Sequence, residues 1–291
     1  MTARFTARAA SADGYFLGEG PVWDPDRQRL LWVDIVPGRV FAGRLQPDDT
    51  ITVAESWSFG ATVGAVAVSA TGELLVAERE TVTHGGRTVA RVLPEGGPSR
   101  LNDGAVDPAG RFLVGSLRQH EGPGGHEVLV RLDGGAVTTL DDDLTLSNGL
   151  AWSPDGRELY SIDTIPGTVW ARGYDPHTGA TGPRRELFTV TDGFPDGMCT
   201  DADGHLWIAV WGGGRVECRH RDGTLLAVVE VDAPHTSSVT FAGPGLDVLV
   251  ITTARQDLSP DDLAAHPDSG RLFTARVGVT GPAAPYWDPA L

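Results

Sequence analysis

A short motif returns six times along this 291-residue chain. Each copy is a turn built on Asp or Ser, often with Pro and Gly after it, followed at once by a hydrophobic run. The copies recur at intervals of 45, 38, 46, 48 and 41 residues and begin at Asp24, Ser69, Asp107, Ser153, Asp201 and, in a more degenerate form, Ala242. A period of about forty residues carried by strands is typical of β-propeller blades. The repeats therefore predict an all-β, six-bladed β-propeller.

Each repeat can be divided into four short antiparallel strands, the second of which is the run rich in Leu, Val, Ile and aromatic residues that follows the turn. The last repeat has no fourth strand after GRLFTARV, whereas RFTARAAS near the N-terminus belongs to no repeat. We expect the N-terminal segment to supply the missing strand and close the ring, which would leave no exposed edge. This predicts a single propeller domain over residues 1–291, with one helical turn at PDDLAAH near Pro260. A WD40 or kelch propeller has a similar period, but their Gly-His and Trp-Asp punctuation is missing.

The residue five positions before each turn is polar in most repeats. These positions hold Glu19, Gly64, Asn102, Asn148, Asp196 and Ser237. Equivalent positions of a radially repeated fold meet around the central axis. Two carboxylates and one or two carboxamides facing one another would suit Ca²⁺, Mg²⁺ or Mn²⁺, with Zn²⁺ also possible. The alternative for any single copy is a turn cap, because Asn and Asp often cap turns.

Arg100 stands two residues before Asn102 and would project near the same end of the channel. Its guanidinium fits a substrate carboxylate, hydroxyl pair or carbonyl; a salt bridge at the strand end is the alternative. The channel mouth is expected to be polar, which favours a small polyhydroxylated substrate.

The net charge of −16 argues against nucleic acid and anionic membranes as partners. All 23 basic residues are Arg, so chemistry that needs a lysine amine is excluded. The N-terminal residues lack the apolar stretch of a signal peptide, and no segment has the length of a membrane span. These features predict a cytoplasmic protein with no membrane and no implied protein partner. The acidic run at 141–143 is expected to be a solvated loop, and DADGH at 201–205 a β-turn.

Four separated segments carry a resemblance to a known family. They read GEGPVWDPDRQRLLWVDI, RLNDGAVDPAGRFLVGSL, SNGLAWSPDGRELYSIDT and PDGMCTDADGHLWIAVWGGGRV. The chain resembles the family of senescence marker protein (regucalcin), gluconolactonase and luciferin-regenerating enzyme from about Gly18 to Gly281. The later segment ARQDLSPDDLAAHPDSGRLF fits as well.

The resemblance implies a six-bladed propeller with one divalent cation, Ca²⁺, Zn²⁺, Mn²⁺ or Mg²⁺, held by Glu19, Asn148 and Asp196. It also implies that Asp196 is the catalytic base and that Arg100 and Asn102 contact substrate. Some family members have a further substrate-binding Glu in the loop that here reads RQHEGPGGHE. Strict spacing from Asn102 falls on His120, with Glu121 one residue later, and we take Glu121 as the candidate.

These expectations predict a metal-dependent lactonase of carbohydrate metabolism, acting on a small-molecule sugar lactone such as an aldonolactone. The first alternative is a non-catalytic propeller that binds calcium or another ligand, because a binding site and a catalytic site need the same metal ligands. The second is a phosphotriesterase-like hydrolase, since the same cation can polarise a phosphoryl oxygen.

Overall fold

In the computed structural model, which describes residues 2–119 and 125–291, almost all regular structure is β-strand. Two short strands come first, β1 (Ala3–Thr6) and β2 (Arg8–Ala9). The first sheet then holds β3 (Gly18–Asp24), β4 (Arg29–Asp34), β5 (Arg39–Leu45) and β6 (Ile51–Ser58). The second holds β7 (Val63–Val68), β8 (Leu74–Glu78), β9 (Thr81–His84) and β10 (Arg87–Arg91).

The remaining four sheets follow in chain order. The third holds β11 (Ser99–Val106), β12 (Phe112–Arg118), β13 (Glu127–Asp133) and β14 (Ala136–Leu144). The fourth holds β15 (Ser147–Trp152), β16 (Glu158–Asp163), β17 (Thr168–Gly173) and β18 (Arg185–Thr189). The fifth holds β19 (Phe194–Thr200), β20 (Leu206–Trp211), β21 (Arg215–Arg219) and β22 (Leu225–Glu230). The sixth holds β23 (Thr236–Ala242), β24 (Val248–Thr253) and β25 (Phe273–Ala275), with the helix α1 (Pro260–Ala265) between the last two.

The first strand of each sheet lies innermost. Each of these strands contacts its counterpart in the next sheet, and β23 of the sixth sheet contacts β3 of the first. The six antiparallel sheets therefore form a closed ring, which confirms the predicted six-bladed β-propeller. The helical turn predicted near Pro260 is confirmed as α1.

The N-terminal segment is shared between two blades. Strand β2 pairs antiparallel with β25 and is the fourth strand of the sixth sheet. Strand β1 pairs parallel with β22 and adds a fifth strand to the fifth sheet, which the repeat pattern did not indicate.

Hydrogen bonds explain why the repeated turn begins with Asp or Ser and often contains Gly. In the third copy, Oδ1 of Asp107 accepts the backbone N–H groups of Ala109 and Arg111 at 2.9 and 2.8 Å. Gly110 has a φ of 98° and closes the turn by donating to the Asp107 carbonyl at 3.0 Å. Such a positive φ favours glycine. Asp201 and Gly204 form the same arrangement, so the β-turn predicted for DADGH is confirmed.

Six hydrophobic clusters fill the spaces between neighbouring blades, one cluster at each interface. Strand β4 illustrates why the second strand of each repeat is continuously apolar. Trp32 packs toward Val250 of the sixth blade, and Leu31 toward Val66 of the second. Both faces of the strand are buried, so no polar alternation remains.

The acidic run at 141–143 is not a loop, and that part of the expectation was wrong, whereas Asp142 and Asp143 are exposed to solvent as expected. It lies in β14, where Asp141 forms ion pairs with Arg172 and, at 3.0 Å, with Arg184. No helix within residues 2–119 or 125–291 has the length and apolar character needed to span a membrane.

Candidate metal centre

The hydrogen-bond ladder between the first and second strands breaks once in every blade. Each break lies at or directly beside one of the six aligned positions, namely Glu19, Gly64, Asn102, Asn148, Asp196 and Ser237. Such a β-bulge bends the strand and changes the direction of its side chains. These residues therefore lie within strands, and turn capping does not describe them.

Two glycines lie where the inner strands of neighbouring blades approach one another closely, at the level of the six aligned positions. A Cβ on Gly64 would lie 2.4 Å from the backbone oxygen of Asn102. A Cβ on Gly149 would lie 2.6 Å from the backbone oxygen of Asp196. This spacing explains why the second repeat has Gly at the aligned position and why Gly follows Asn148.

A cavity of about 270 Å³ lies at the end of the ring where the inner strands begin. The structure brings most of the predicted site residues together there. The buried part of its polar wall consists of Glu19, Arg100, Asn102, Asn148, Thr164 and Asp196, each no more than 7% exposed. The half-buried Gln256 and the exposed Asp257 complete the polar lining. His120 and Glu121, the candidates for a further substrate contact, lie outside the described residues.

A directional chain of hydrogen bonds fixes the orientation of the Asn148 amide. The Pro195 carbonyl can only accept, so the Thr164 hydroxyl donates to it, at 2.8 Å. The Thr164 oxygen in turn accepts from Nδ2 of Asn148 at 2.8 Å. The carboxamide oxygen of Asn148 is thereby assigned to the other side of the group, where a cation could bind it.

Arg100 orients Asn102 in the same way. Nη1 of Arg100 donates to Oδ1 of Asn102 at 2.7 Å, and Nδ2 of Asn102 donates to Oδ1 of Asn148 at 2.8 Å and to the Ser147 carbonyl at 3.0 Å. The third and fourth blades are thus joined by one amide whose orientation is determined by a permanent donor.

The two buried carboxylates of the cavity, Glu19 and Asp196, have few partners in the protein. Glu19 accepts the N–H of its own neighbour Gly20 at 2.9 Å. Among the described residues, no hydrogen bond reaches the Asp196 carboxylate. Burial, and then the charge of Asp103, raises the pKa of Glu19 to about 8. Burial, and then the charge of Glu19, raises the pKa of Asp196 well above its usual value.

Arg100 supplies one positive charge against these two carboxylates. Burial lowers the pKa of its guanidinium to about 10, while Glu19 and Asp196 act in the opposite direction. One arginine does not balance two buried carboxylates, and an unbalanced buried charge is costly. A divalent cation would compensate the charges of both carboxylates, and two carboxylates with one carboxamide oxygen are ligands that such a cation accepts.

Sequence reasoning missed Thr164. This residue comes from the loop between β16 and β17 rather than from an aligned strand position, so the repeat pattern gave no signal for it. Its place in the cavity wall and its hydrogen bond with Asn148 identify it as part of the site.

A second group of potential ligands lies at the turn of the fifth blade. The ligand atoms of Asp201, His205 and Cys218 lie within 4.8 Å of one another. Oδ2 of Asp201 already accepts from Nε1 of Trp207 at 3.0 Å, and Oδ1 accepts two backbone N–H groups. Asp201 therefore anchors the turn, as Asp107 does, and is not part of the axial site.

Comparison with known proteins gives concordant matches over most of the chain. Residues 17–255 match the family model described as SMP-30/Gluconolactonase/LRE-like region. Pentonolactonase XacC of Haloferax volcanii is 38% identical over 281 residues, which cover 91% of this chain and 92% of that protein. Regucalcin of Xenopus laevis is 34% identical over 293 aligned residues, which cover 93% of this chain and 94% of that protein. The crystal structure of a calcium-binding protein, regucalcin, from Agrobacterium tumefaciens matches with a TM-score of 0.90 at 27% identity and covers 99% of this chain and all of that one.

Proposed function

The chain belongs to the SMP-30/gluconolactonase/LRE-like family, and on that premise we propose that it is a metal-dependent lactonase. The reaction is hydrolysis of a sugar-derived lactone, such as an aldonolactone, to the open hydroxy acid. The observation that carries the proposal is the pair of buried carboxylates, Glu19 and Asp196, beside the oriented carboxamide of Asn148. The similarity to a pentonolactonase supports the choice of a sugar lactone.

Glu19, Asn148 and Asp196 would hold one divalent cation, Ca²⁺, Zn²⁺, Mn²⁺ or Mg²⁺. When bound, it would act as a Lewis acid on the lactone carbonyl and stabilise the oxyanion that forms there. The similarity of this chain to a calcium-binding protein of A. tumefaciens favours Ca²⁺ as the ion bound here.

Asp196 is the proposed base. Its carboxylate receives no hydrogen bond among the described residues, so its lone pairs remain available to a water molecule. Asp196 takes a proton as the water oxygen bonds to the lactone carbonyl carbon. It returns that proton to the ring oxygen as the bond between this oxygen and the carbonyl carbon breaks.

Arg100 and Asn102 are proposed to position the substrate. The hydrogen bonds that Arg100 donates within the described residues all come from Nη1, which leaves its other guanidinium nitrogens for a substrate oxygen. Asn102 acts chiefly by holding Asn148 and Arg100 in place. Glu121 remains a proposed substrate contact on the family resemblance alone.

A second candidate function is calcium binding without catalysis, which the similarity to regucalcin proteins favours. Proton release from a panel of sugar lactones, followed with chelated protein and after addition of each metal, separates the two. Metal-restored turnover above spontaneous hydrolysis supports the lactonase. A protein that binds metal and turns over none of the lactones is a binding propeller.

A further inference from the structure

Exposed apolar side chains concentrate at the end of the ring that carries the candidate metal centre. Seven large apolar side chains are exposed in the part of the chain that the structure describes, and three of them lie on outer strands. Ile165 and Phe194, 58% and 47% exposed, line the 270 Å³ cavity. Phe16 and Val36 are exposed beside the cavity-lining residues Leu17 and Ile35. We call Phe16, Val36, Ile165 and Phe194 the apolar crescent.

Two members of the crescent are held next to the proposed reaction centre. Ile165 follows Thr164, which donates to the Pro195 carbonyl and accepts from Asn148. Phe194 precedes Pro195 and lies two residues before Asp196 on β19. The hydrogen bond between Thr164 and Pro195 therefore ties the two apolar side chains to one side of the metal ligands.

The cavity wall is also more apolar than the sequence suggested. Besides the two exposed side chains, the apolar lining consists of Leu17, Ile35, Leu117, Leu146 and Trp211. The indole of Trp211 stacks on His235, with ring centroids 4.1 Å apart and planes at 15°. His235 in turn donates from Nδ1 to the Gln256 carbonyl at 2.8 Å, which holds this wall in position.

The buried polar residues of the cavity and the exposed apolar crescent would contact different parts of one substrate molecule. Arg100, Asn102 and the carboxylates contact polar groups, whereas the crescent gains free energy only by covering apolar surface. A bare sugar lactone would occupy the floor and leave the crescent in water. We propose that the crescent is a subsite for an alkyl or aryl substituent, so that the preferred substrate is a sugar-derived lactone that also carries an apolar group on its ring. This inference rests on the proposed lactonase function.

The test is a homologous series of δ-lactones, from unsubstituted δ-valerolactone to δ-lactones with progressively longer 5-alkyl chains, assayed beside glucono-1,5-lactone with metal-loaded protein. Burial of each methylene against the crescent should raise kcat/KM about three- to fourfold until the apolar surface is covered. The readout is the slope of log kcat/KM against chain length, which does not depend on the absolute rate.

Two substitutions in the crescent test whether its side chains cause the increase of log kcat/KM with chain length. Ile165→Ser and Phe194→Ser should each lower the slope measurably, and the double variant should lower it further. Val137→Ser is the matched control, because Val137 is 39% exposed on the outer strand β14. It should leave the slope as in the unchanged protein.

The outcomes separate this inference from the function on which it rests. Turnover of glucono-1,5-lactone with a flat or falling alkyl series contradicts the apolar subsite and leaves the lactonase proposal standing. A rising series that neither crescent variant changes also contradicts it. Absence of turnover on every lactone contradicts the lactonase proposal and the subsite together.

Discussion

Asn102 donates a hydrogen bond from Nδ2 to Oδ1 of Asn148 at 2.8 Å. This contact joins a proposed substrate-positioning residue of the third blade to a proposed metal ligand of the fourth. Thr164 and Arg100 stand at the two ends of the same hydrogen-bonded chain and fix the direction of every donor in it. The proposed metal binding and the proposed substrate positioning would therefore be coupled through side chains that the repeats bring to one level of the ring.

Thr164→Val should weaken metal binding although Thr164 is not itself a proposed ligand. The substitution keeps the shape of the side chain and removes the oxygen that orients Asn148. Loss of such an outer partner typically costs about 10- to 100-fold in metal affinity. Calorimetric titration of chelated protein with Mn²⁺ measures the effect. Thr138→Val, an exposed change on β14, is the control, and equal affinity in the two variants would contradict the orienting role.

Arg100→Lys should raise KM for a sugar lactone about tenfold or more with a smaller effect on kcat. Lysine keeps the charge but not the guanidinium fork, and hydrogen bonds to charged groups contribute about 1.5–3 kcal/mol. Steady-state kinetics with glucono-1,5-lactone give both constants, with exposed Arg87→Lys as control. A large fall in kcat at constant KM would instead place Arg100 in transition-state stabilisation.

Chelated protein should lose stability as the pH rises from about 5 to 8. Burial and neighbouring charge raise the pKa of Glu19 to about 8 and the pKa of Asp196 well above its usual value. Both carboxyls titrate near pH 4 in an unfolded chain. The folded state therefore binds these protons more tightly, so the stability they favour is present at low pH and is lost as the pH rises toward 8.

Thermal unfolding at several pH values, with and without Mn²⁺, tests this pH dependence. Mn²⁺ should raise Tm more at pH 8 than at pH 5, because at pH 5 it competes with bound protons. Glu19→Gln should remove much of the decline in chelated protein. A decline of the same size in Glu19→Gln and in the unchanged protein would show that Glu19 is not its source.

The repeats were sufficient to predict the blades and the axial level of the site, because both depend on local pattern. The turn, the buried second strand and the residue five positions before the turn recur in each copy. A bulge at the same place in every inner strand directs Glu19, Asn148 and Asp196 toward the axis. Counting from the turn was therefore enough to find them.

Features that depend on tertiary contacts could not be predicted in this way. Thr164 lies in a loop whose counterpart in the first repeat holds Ile35, so the repeats do not mark this position as polar. The parallel pairing of β1 with β22 joins segments more than 200 residues apart. The apolar crescent combines loops of separate blades, and no segment of the sequence shows that Ile165 and Phe194 lie side by side with the metal ligands.

The most direct test of the account is a Mn²⁺ titration of chelated protein in which bound metal and lactone turnover are measured on the same samples. Unchanged protein should bind one Mn²⁺ per chain at this site, with turnover rising in step. Asp196→Asn should lose both, turnover by about 100-fold or more, while exposed Asp192→Asn should retain both. Full turnover in Asp196→Asn, or turnover that chelation leaves unchanged, would contradict the account.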